Sequence, residues 1–257
     1  TTLAGEGLQH QDGHGLLFAQ FIPNCVSYDP TFAYELAVII QDGLRRMFQE
    51  QENVFYYVAT LNENYHHPAM PEGAQEGILK GLYRFRSGDG DGPRVQLLGC
   101  GAILREVIAA GDLLRDDWGL TADSWAAPGI NELTRDGQDA ARWNLLHPDQ
   151  PPRRSYVETC LDGHPGPMVA ATDYLKLYAE QLRPFLPGRR YVTLGTDGFG
   201  RSDTRVKLRR HFEVDRYYVT LAALKALADE GALPVTKVLD AMQKYRIDPN
   251  KPNPLTV

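Results

Sequence analysis

The chain has 257 residues, of which 43% are hydrophobic, so it can bury a core large enough for one large or two modest domains. A formal net charge of −6 and a pI near 5.6 give no electrostatic basis for binding nucleic acid or an anionic membrane. Three scattered cysteines, the lack of a signal peptide and the lack of an apolar run of about 18 residues predict a cytoplasmic protein.

A glycine-rich loop at residues 5–14 carries the densest group of chemically useful side chains. It places His10, His14, Glu6 and Asp12 among glycines, which let the backbone adopt positive φ or pass close to a ligand. Such loops are normally positioned by a scaffold, and no strand precedes this one. The sequence therefore predicts a functional loop in a chain that is a fragment or a processed product.

The two histidines admit more than one interpretation. His10 lies four residues before His14, which is the spacing of a zinc-binding pair on a helix. The flanking glycines, Gly7 and Gly13, disfavour a helix, and no glutamate follows His10, so a zinc hydrolase is disfavoured. The residues alone leave His10 open as a catalytic group or as a hydrogen-bonded structural group.

The first half of the chain predicts a strand, a helix and a second strand, an order that implies parallel strands. The predicted elements are an apolar segment at 16–22, a buried strand at Cys25–Tyr28, a helix at 31–50 and a strand buried on both faces at 54–61. Prolines and a glycine-rich tract then predict a domain boundary within 66–92, around a helical stretch at 74–85.

The second half predicts a further α/β unit. A strand at 95–102 runs into the turn Gly99-Cys100-Gly101, but the third glycine of a dinucleotide-binding turn is replaced by Leu104. The later predicted elements are strands at 122–127, Tyr191–Leu194 and 217–220 and helices at 103–114, 172–183, Arg205–His211, 221–229 and 234–245.

The loop sequence Gly-Glu-Gly-Leu-Gln-His-x-Asp-Gly-His at 5–14 resembles that of the homodimeric bacterial pyruvate dehydrogenase E1 family, which are transketolase-type thiamine-diphosphate enzymes. Further tracts resemble the same family in the same order, so the resemblance covers nearly the whole chain. These tracts are 61–65, 68–73, 136–144, 195–203 and 212–215. The chain departs from the family pattern at 15–20 and 149–154.

The resemblance implies an α/β fold made of two pieces. Residues 1–70 would complete a thiamine pyrimidine-binding domain, 71–92 would form a linker segment, and 93–257 would form a transketolase-like C-terminal domain with a mostly parallel sheet. The complete enzyme would be a homodimeric oxidoreductase whose substrate is the product of glycolysis. It would decarboxylate pyruvate and acetylate the lipoyl domain of a dihydrolipoyl acetyltransferase, the E2 component.

The resemblance also implies roles for single residues. His10 would hydrogen-bond the substrate oxygen that gains negative charge and would handle its proton. Glu6 would orient the loop or contact a partner subunit, with a solvated surface acid as the alternative, and His14 would stabilise the loop.

The resemblance further implies that thiamine diphosphate and magnesium bind to the complete enzyme, whereas this chain contributes no cofactor-binding or metal-binding residue. Gly88-Asp89-Gly90 copies the start of the family's metal motif, but the expected asparagine does not follow at the family's spacing. This tract therefore predicts a flexible linker, and the fragment alone should be inactive.

Two alternatives remain open from the sequence. The chain could be a non-catalytic module that dimerises or docks a partner. It could also belong to another 2-oxo acid dehydrogenase or to a transketolase relative.

Overall fold

The computed structural model describes residues 7–257, which form two sheets of mostly parallel strands with helices packed around them. The strands are β1 (Cys25–Tyr28), β2 (Phe55–Val58), β3 (Tyr83–Arg86), β4 (Arg94–Gly99), β5 (Thr121–Ala126), β6 (Met168–Ala171) and β7 (Tyr191–Leu194). The α-helices are α1 (Gly15–Gln20), α2 (Ala33–Leu44), α3 (Ala74–Lys80), α4 (Leu104–Trp118), α5 (Ile130–Leu146), α6 (Tyr156–Cys160), α7 (Lys176–Glu180), α8 (Arg205–His211), α9 (Arg216–Asp229) and α10 (Thr236–Lys244). No helix within 7–257 is both long and apolar enough to cross a bilayer.

The smaller sheet joins β1 and β2 in parallel, with Cys25 opposite Phe55 and Tyr28 opposite Val58. The helix α2 makes the crossover between the two strands, because a parallel connection needs a long return path. All four residues of β1 are buried. The carboxyl ends of β1 and β2 consequently lie side by side.

The larger sheet has the strand order β3-β5-β4-β6-β7. The strands β4 to β7 run parallel, and β3 pairs antiparallel with β5 at one edge. The chain passes from β4 to β5 on one side and then to β6 on the other side, so the strand order reverses at β4. Open α/β sheets bind ligands outside the carboxyl ends of their strands at such a reversal.

Alternate side chains of the central strands face two different cores, as the period of two in a strand requires. Leu97 and Val169 pack with helices α4 and α9 on one face of the sheet. Leu98 and Ala170 pack with α5 and α7 on the other face. Because both faces are covered, β4 and β6 are buried along almost their whole length.

A buried ion network ties the exit of β2 to the helices of the larger unit. Glu63 pairs with Arg105 at 2.8 Å and with Arg209 at 2.6 Å. Arg209 also reaches Glu106 at 3.3 Å, and Arg216 reaches Glu106 at 2.9 Å. Burial opposes ionisation of Glu106, but the Arg216 guanidinium holds the pKa of Glu106 below its usual range. The network therefore fixes how the two sheets are joined.

The substitution Glu106→Gln should lower the free energy of unfolding by about 2 kcal/mol, because it removes the buried carboxylate that the buried Arg209 and the half-exposed Arg216 share. Thermal or urea unfolding of the protein measures this loss. Glu76→Gln is the matched control, since Glu76 forms its ion pair with Lys80 on the exposed surface of α3. We expect that control to change stability far less, and equal losses would contradict the role given to Glu106.

Most predicted elements are confirmed, including the parallel strand-helix-strand start of the chain. The confirmed strands are those at Cys25–Tyr28, 95–102, 122–127 and Tyr191–Leu194, and the confirmed helices are those at 31–50, 103–114, Arg205–His211, 221–229 and 234–245. The 31–50 helix ends in a π-helical segment at Arg45–Gln49.

The strand predicted at 217–220 is wrong, because these residues lie in the first turns of α9. The Asp215 side chain accepts hydrogen bonds from the backbone amides of Tyr217 and Tyr218, at 3.0 and 2.9 Å. A side-chain cap of this kind satisfies the amides that begin a helix. The local cap outweighs the preference of the aromatic residues for strands.

The second strand is present, but the prediction that it is buried on both faces is wrong. Phe55 and Tyr57 are 41% and 37% exposed and alternate with the half-buried Tyr56 and Val58. This alternation belongs to a strand with one face toward the core.

Several elements were not predicted or were misplaced. The strand β6 and the helices α1, α5 and α6 had no predicted counterpart. The helix predicted at 172–183 is observed only as α7, which is five residues long. The first residues of the predicted helix lie in the connection between β6 and α7. The helical stretch predicted at 74–85 is α3 followed by β3.

The segment predicted as a linker, 71–92, contributes α3 and the edge strand β3. The Gly88 amide donates to the Asp123 carboxylate at 2.9 Å, and a Cβ at Gly88 would overlap the backbone of Ala122. The prediction that Gly88-Asp89-Gly90 is a flexible linker is therefore wrong at Gly88, which packs against β5. The division of the chain at 70 and 92 stays a prediction.

Candidate functional site

A cavity of about 370 Å³ opens where the carboxyl ends of the two sheets meet. Residues 57–61 at the end of β2 and Asp29 at the end of β1 form one wall. Ala102 after β4, Asp173 and Tyr174 after β6 and Thr196 after β7 form the other wall. The cavity thus sits at the strand-order reversal, where an α/β sheet normally binds its ligand.

The loop predicted to be functional closes one side of this cavity. Gly7, His10, Gln11 and Asp12 all line it, and His10 ends a short 3₁₀-helix at Leu8–His10. Gly7 has a φ of +74°, as expected for a loop glycine, whereas Gly13 does not have positive φ. Glu6 lies outside the described residues.

Asp12 lies between the two histidines in the sequence, and its carboxylate binds the backbone at the start of α1. Its carboxylate accepts hydrogen bonds from the His14 and Gly15 amides, at 3.1 and 2.6 Å, and from the Tyr57 hydroxyl at 3.3 Å. His14 immediately precedes α1. Its ring stacks on that of Phe18, with the ring centroids 6.4 Å apart, and it does not line the cavity. His10 is the histidine of the pair that faces the cavity.

Asp29 is the buried acid of the cavity wall. Its backbone carbonyl accepts the Gly101 amide at 3.1 Å, and its own amide donates to the Pro128 carbonyl at 2.7 Å. Its side chain is 2% exposed, and the Oδ2 atom has no hydrogen-bond partner among the described residues. Gly101 has a φ of +48°, and a Cβ there would overlap this carboxyl group. The glycine turn therefore accommodates Asp29 rather than a nucleotide.

Burial raises the pKa of Asp29 to about 7, although a hydrogen bond from the Cys100 thiol acts in the opposite direction. The nearby carboxylates of Asp173 and Glu35 raise it further. Burial also raises the pKa of Cys100 well above its usual value. The cavity wall thus holds a carboxyl group that exchanges its proton near neutral pH.

Because the pKa of Asp29 is higher in the folded protein than the unfolded value near 3.9, its contribution to stability is lost as pH rises toward 7. Asp29→Asn removes this titration. The stability of the variant relative to the parent should therefore increase by about 2 kcal/mol from pH 5 to pH 8. Urea unfolding across this range tests the prediction. Asp89→Asn, at an exposed position, is the control for the substitution itself, and a flat difference for Asp29→Asn would contradict the raised pKa.

The sequence pointed to the histidine loop but missed the acids opposite it. Asp29 lies between the predicted strand at Cys25–Tyr28 and the predicted helix at 31–50, and Asp173 lies inside the helix predicted at 172–183. Asp29 follows the buried strand β1 directly, and Asp173 is the second residue after the buried strand β6. Their position after parallel strands is the signal that could have identified them.

No group of three or more His, Cys, Asp or Glu side chains within 7–257 could hold a metal ion. Gly88 in the partial metal motif is packed on β5, which leaves no open glycine turn there. His10 and Asp29 both line the cavity and can form hydrogen bonds to a ligand there.

Two family models match the chain. The pyruvate dehydrogenase E1 component middle domain matches residues 1–68, and the transketolase-like TK C-terminal domain matches residues 81–215. The matches follow each other along the chain in the order of the two sheets.

Known proteins are similar along the whole chain. The pyruvate dehydrogenase E1 component of Cupriavidus necator is 62% identical over 259 residues, covering 100% of this chain and 29% of the relative. That of Pseudomonas aeruginosa is 59% identical over 256 residues, covering 99% of this chain and 29% of the relative. The chain spans less than a third of the length of these relatives.

The fold is similar to that of solved transketolases. The Pichia stipitis transketolase in complex with sedoheptulose 7-phosphate superposes with a TM-score of 0.61 at 17% identity, over 90% of this chain and 29% of that chain. This likeness concerns the fold alone. The expected α/β fold, with a transketolase-like C-terminal domain and a mostly parallel sheet, is confirmed.

Proposed function

We propose, from the premise that this chain belongs to the family of transketolase-like C-terminal domains, that it is the C-terminal part of a pyruvate dehydrogenase E1 component. The complete enzyme would decarboxylate pyruvate oxidatively and acetylate the lipoyl group of its E2 partner. The observation that carries this proposal is the position of His10. The histidine loop that resembles the E1 family lies on the wall of a cavity at the carboxyl ends of both sheets.

His10 would act directly on the substrate. An imidazole donates a hydrogen bond to a 2-oxo acid oxygen as negative charge develops there, and it can give or take a proton near neutral pH. His10 is exposed, so a substrate can reach it from the open side of the cavity. Glu6 would orient the loop that carries His10.

Thiamine diphosphate with magnesium would supply the decarboxylation chemistry of the complete enzyme by accepting the electron pair that carbon dioxide leaves behind. Gly88-Asp89-Gly90 lacks, at the spacing of the resembled family, the asparagine that completes the metal motif. The cofactor would therefore bind to a part of the enzyme outside this chain. Residues 1–70 would complete a pyrimidine-binding domain, and 93–257 would form the C-terminal domain.

Partners follow from the same proposal. The enzyme would work as a cytoplasmic homodimer and would present its site to the lipoyl domain of a dihydrolipoyl acetyltransferase. Binding of nucleic acid or membrane is not proposed, since the formal net charge of −6 offers no general attraction to either.

A substrate comparison with the complete protein tests the proposal. Turnover should be high with pyruvate and low with 2-oxoglutarate and with a ketose phosphate, in the presence of thiamine diphosphate and magnesium. Preference for either competitor would place the chain in a different thiamine enzyme. No turnover by a folded, cofactor-loaded protein would favour a non-catalytic dimerisation or docking module.

A further inference from the structure

The histidine loop is held by a second loop that lies almost two hundred residues away in the sequence. We call residues 195–203, which connect β7 to α8, the buttress loop. The Gln11 side-chain amide donates a hydrogen bond to the Gly198 carbonyl at 3.2 Å. Gln11 follows His10 directly, so this bond fixes the backbone next to the imidazole.

Glycines allow the two loops to approach each other closely. A Cβ at Gly200 would lie 2.8 Å from the Gln11 Cβ and 3.1 Å from the Gly7 carbonyl oxygen. A Cβ at Gly7 would lie 2.5 Å from the Ser202 hydroxyl. The distances of 2.8 Å to the Gln11 Cβ and 2.5 Å to the Ser202 hydroxyl are shorter than a Cβ contact allows, so the present approach of the two loops depends on glycine on each loop.

The buttress loop is itself tied to the ends of the central strands. The Thr196 amide donates to the Tyr174 carbonyl at 2.8 Å, and the Lys176 amide donates to the Asp197 carboxylate at 3.1 Å. The Leu175 amide also donates to the Gly13 carbonyl of the histidine loop, at 3.2 Å. A continuous set of hydrogen bonds therefore runs from β6 and β7 to the histidine loop.

We propose that Gln11, held by Gly198 and Gly200 of the buttress loop, is a positioning residue for His10. This inference rests on the proposed function, because it assumes that His10 acts on the substrate. The polar glycine tract at 195–203 thereby has a use in holding the histidine loop, since its Gly198 carbonyl accepts the hydrogen bond from Gln11. The C-terminal unit would then set the geometry of a histidine that belongs to the preceding unit.

The test uses Gln11→Met in the complete enzyme, because methionine keeps the length of the side chain and removes the amide donor. We expect kcat with pyruvate to fall by about tenfold with KM changed much less, since a small misplacement of a reacting group can cost this much. Amide exchange in 7–13 should become faster. Gln9→Met, an exposed position on the same loop, is the matched control and should match the parent in both measurements.

A double substitution decides whether Gln11 acts through His10. In a His10→Ala background, adding Gln11→Met should change kcat by less than about twofold, because the group it positions is gone. An equal loss in both backgrounds, or parent-like turnover and exchange of Gln11→Met, would overturn the proposal. Gly200→Ala provides a second variant, and its loss should likewise vanish without His10. If His10→Ala alone leaves turnover unchanged, the role proposed for His10 fails, and this result is separate from failure of the positioning.

Discussion

In the complete enzyme, His10→Ala is expected to lower kcat with pyruvate by about 10²-fold or more, which is the usual contribution of a general acid or base. His10 lines the cavity, so its loss removes a proton donor from the wall that the substrate would meet. The affinity for thiamine diphosphate should stay nearly unchanged, because the role proposed for His10 is a hydrogen bond to the substrate and not a contact that holds the cofactor. Steady-state turnover and a cofactor titration measure the two quantities.

His14→Ala is the matched control for this prediction. His14 is exposed, lies on the same loop and packs its ring on Phe18 outside the cavity. General disruption of the loop would impair both variants alike, whereas a chemical role affects His10 far more. Small and equal losses would return His10 to a structural role.

Gly101→Ala should lower the free energy of unfolding by about 3 kcal/mol or more, the range of severe backbone strain combined with overpacking. The new Cβ would overlap the buried Asp29 carboxyl group at a φ of +48°. For a chain of this length we expect the melting temperature to fall by about 10 °C. Thermal unfolding followed by circular dichroism measures the change.

Gly119→Ala separates the two causes of that loss. Gly119 has a φ of +65°, but a Cβ there would meet no atom within 4 Å. Its substitution should therefore cost only the left-handed backbone penalty, about 1 kcal/mol. If both alanine variants melt at the same temperature, the close approach between Gly101 and Asp29 is not what makes this glycine necessary.

The sequence predicts an element correctly where the spacing of its apolar residues matches the faces that it buries. The strand β4 was predicted because its run is apolar and ends at a glycine turn, and α4 because its apolar residues recur at helical spacing. The helix α5 was missed because most of its surface is polar and its buried face includes small or polar residues such as Gly137 and Thr134. Such a face can be recognised as a packing surface only when the elements that cover it are known.

The strand β6 is missed for a different reason. Met-Val-Ala-Ala carries little intrinsic strand preference, and its pairing with β4 and β7 supplies the backbone hydrogen bonds. Missing β6 also concealed Asp173, which the topology places across the cavity from the histidine loop. Half of the candidate site could be found from a dense local motif, whereas the other half depends on which strands become neighbours.

The strand order also affects how the chain folds while it is being synthesised. The central strand β4 ends at Gly99, whereas its neighbour β6 begins at Met168. At typical elongation rates of about 5 to 20 residues per second, the ribosome needs roughly 3 to 14 seconds to make the intervening segment. During that interval one edge of β4, with its buried Val95, Leu97 and Leu98, has no native partner strand. Unpaired apolar edges promote aggregation, so the yield of folded protein should improve at low expression temperature or with a nascent-chain chaperone in excess.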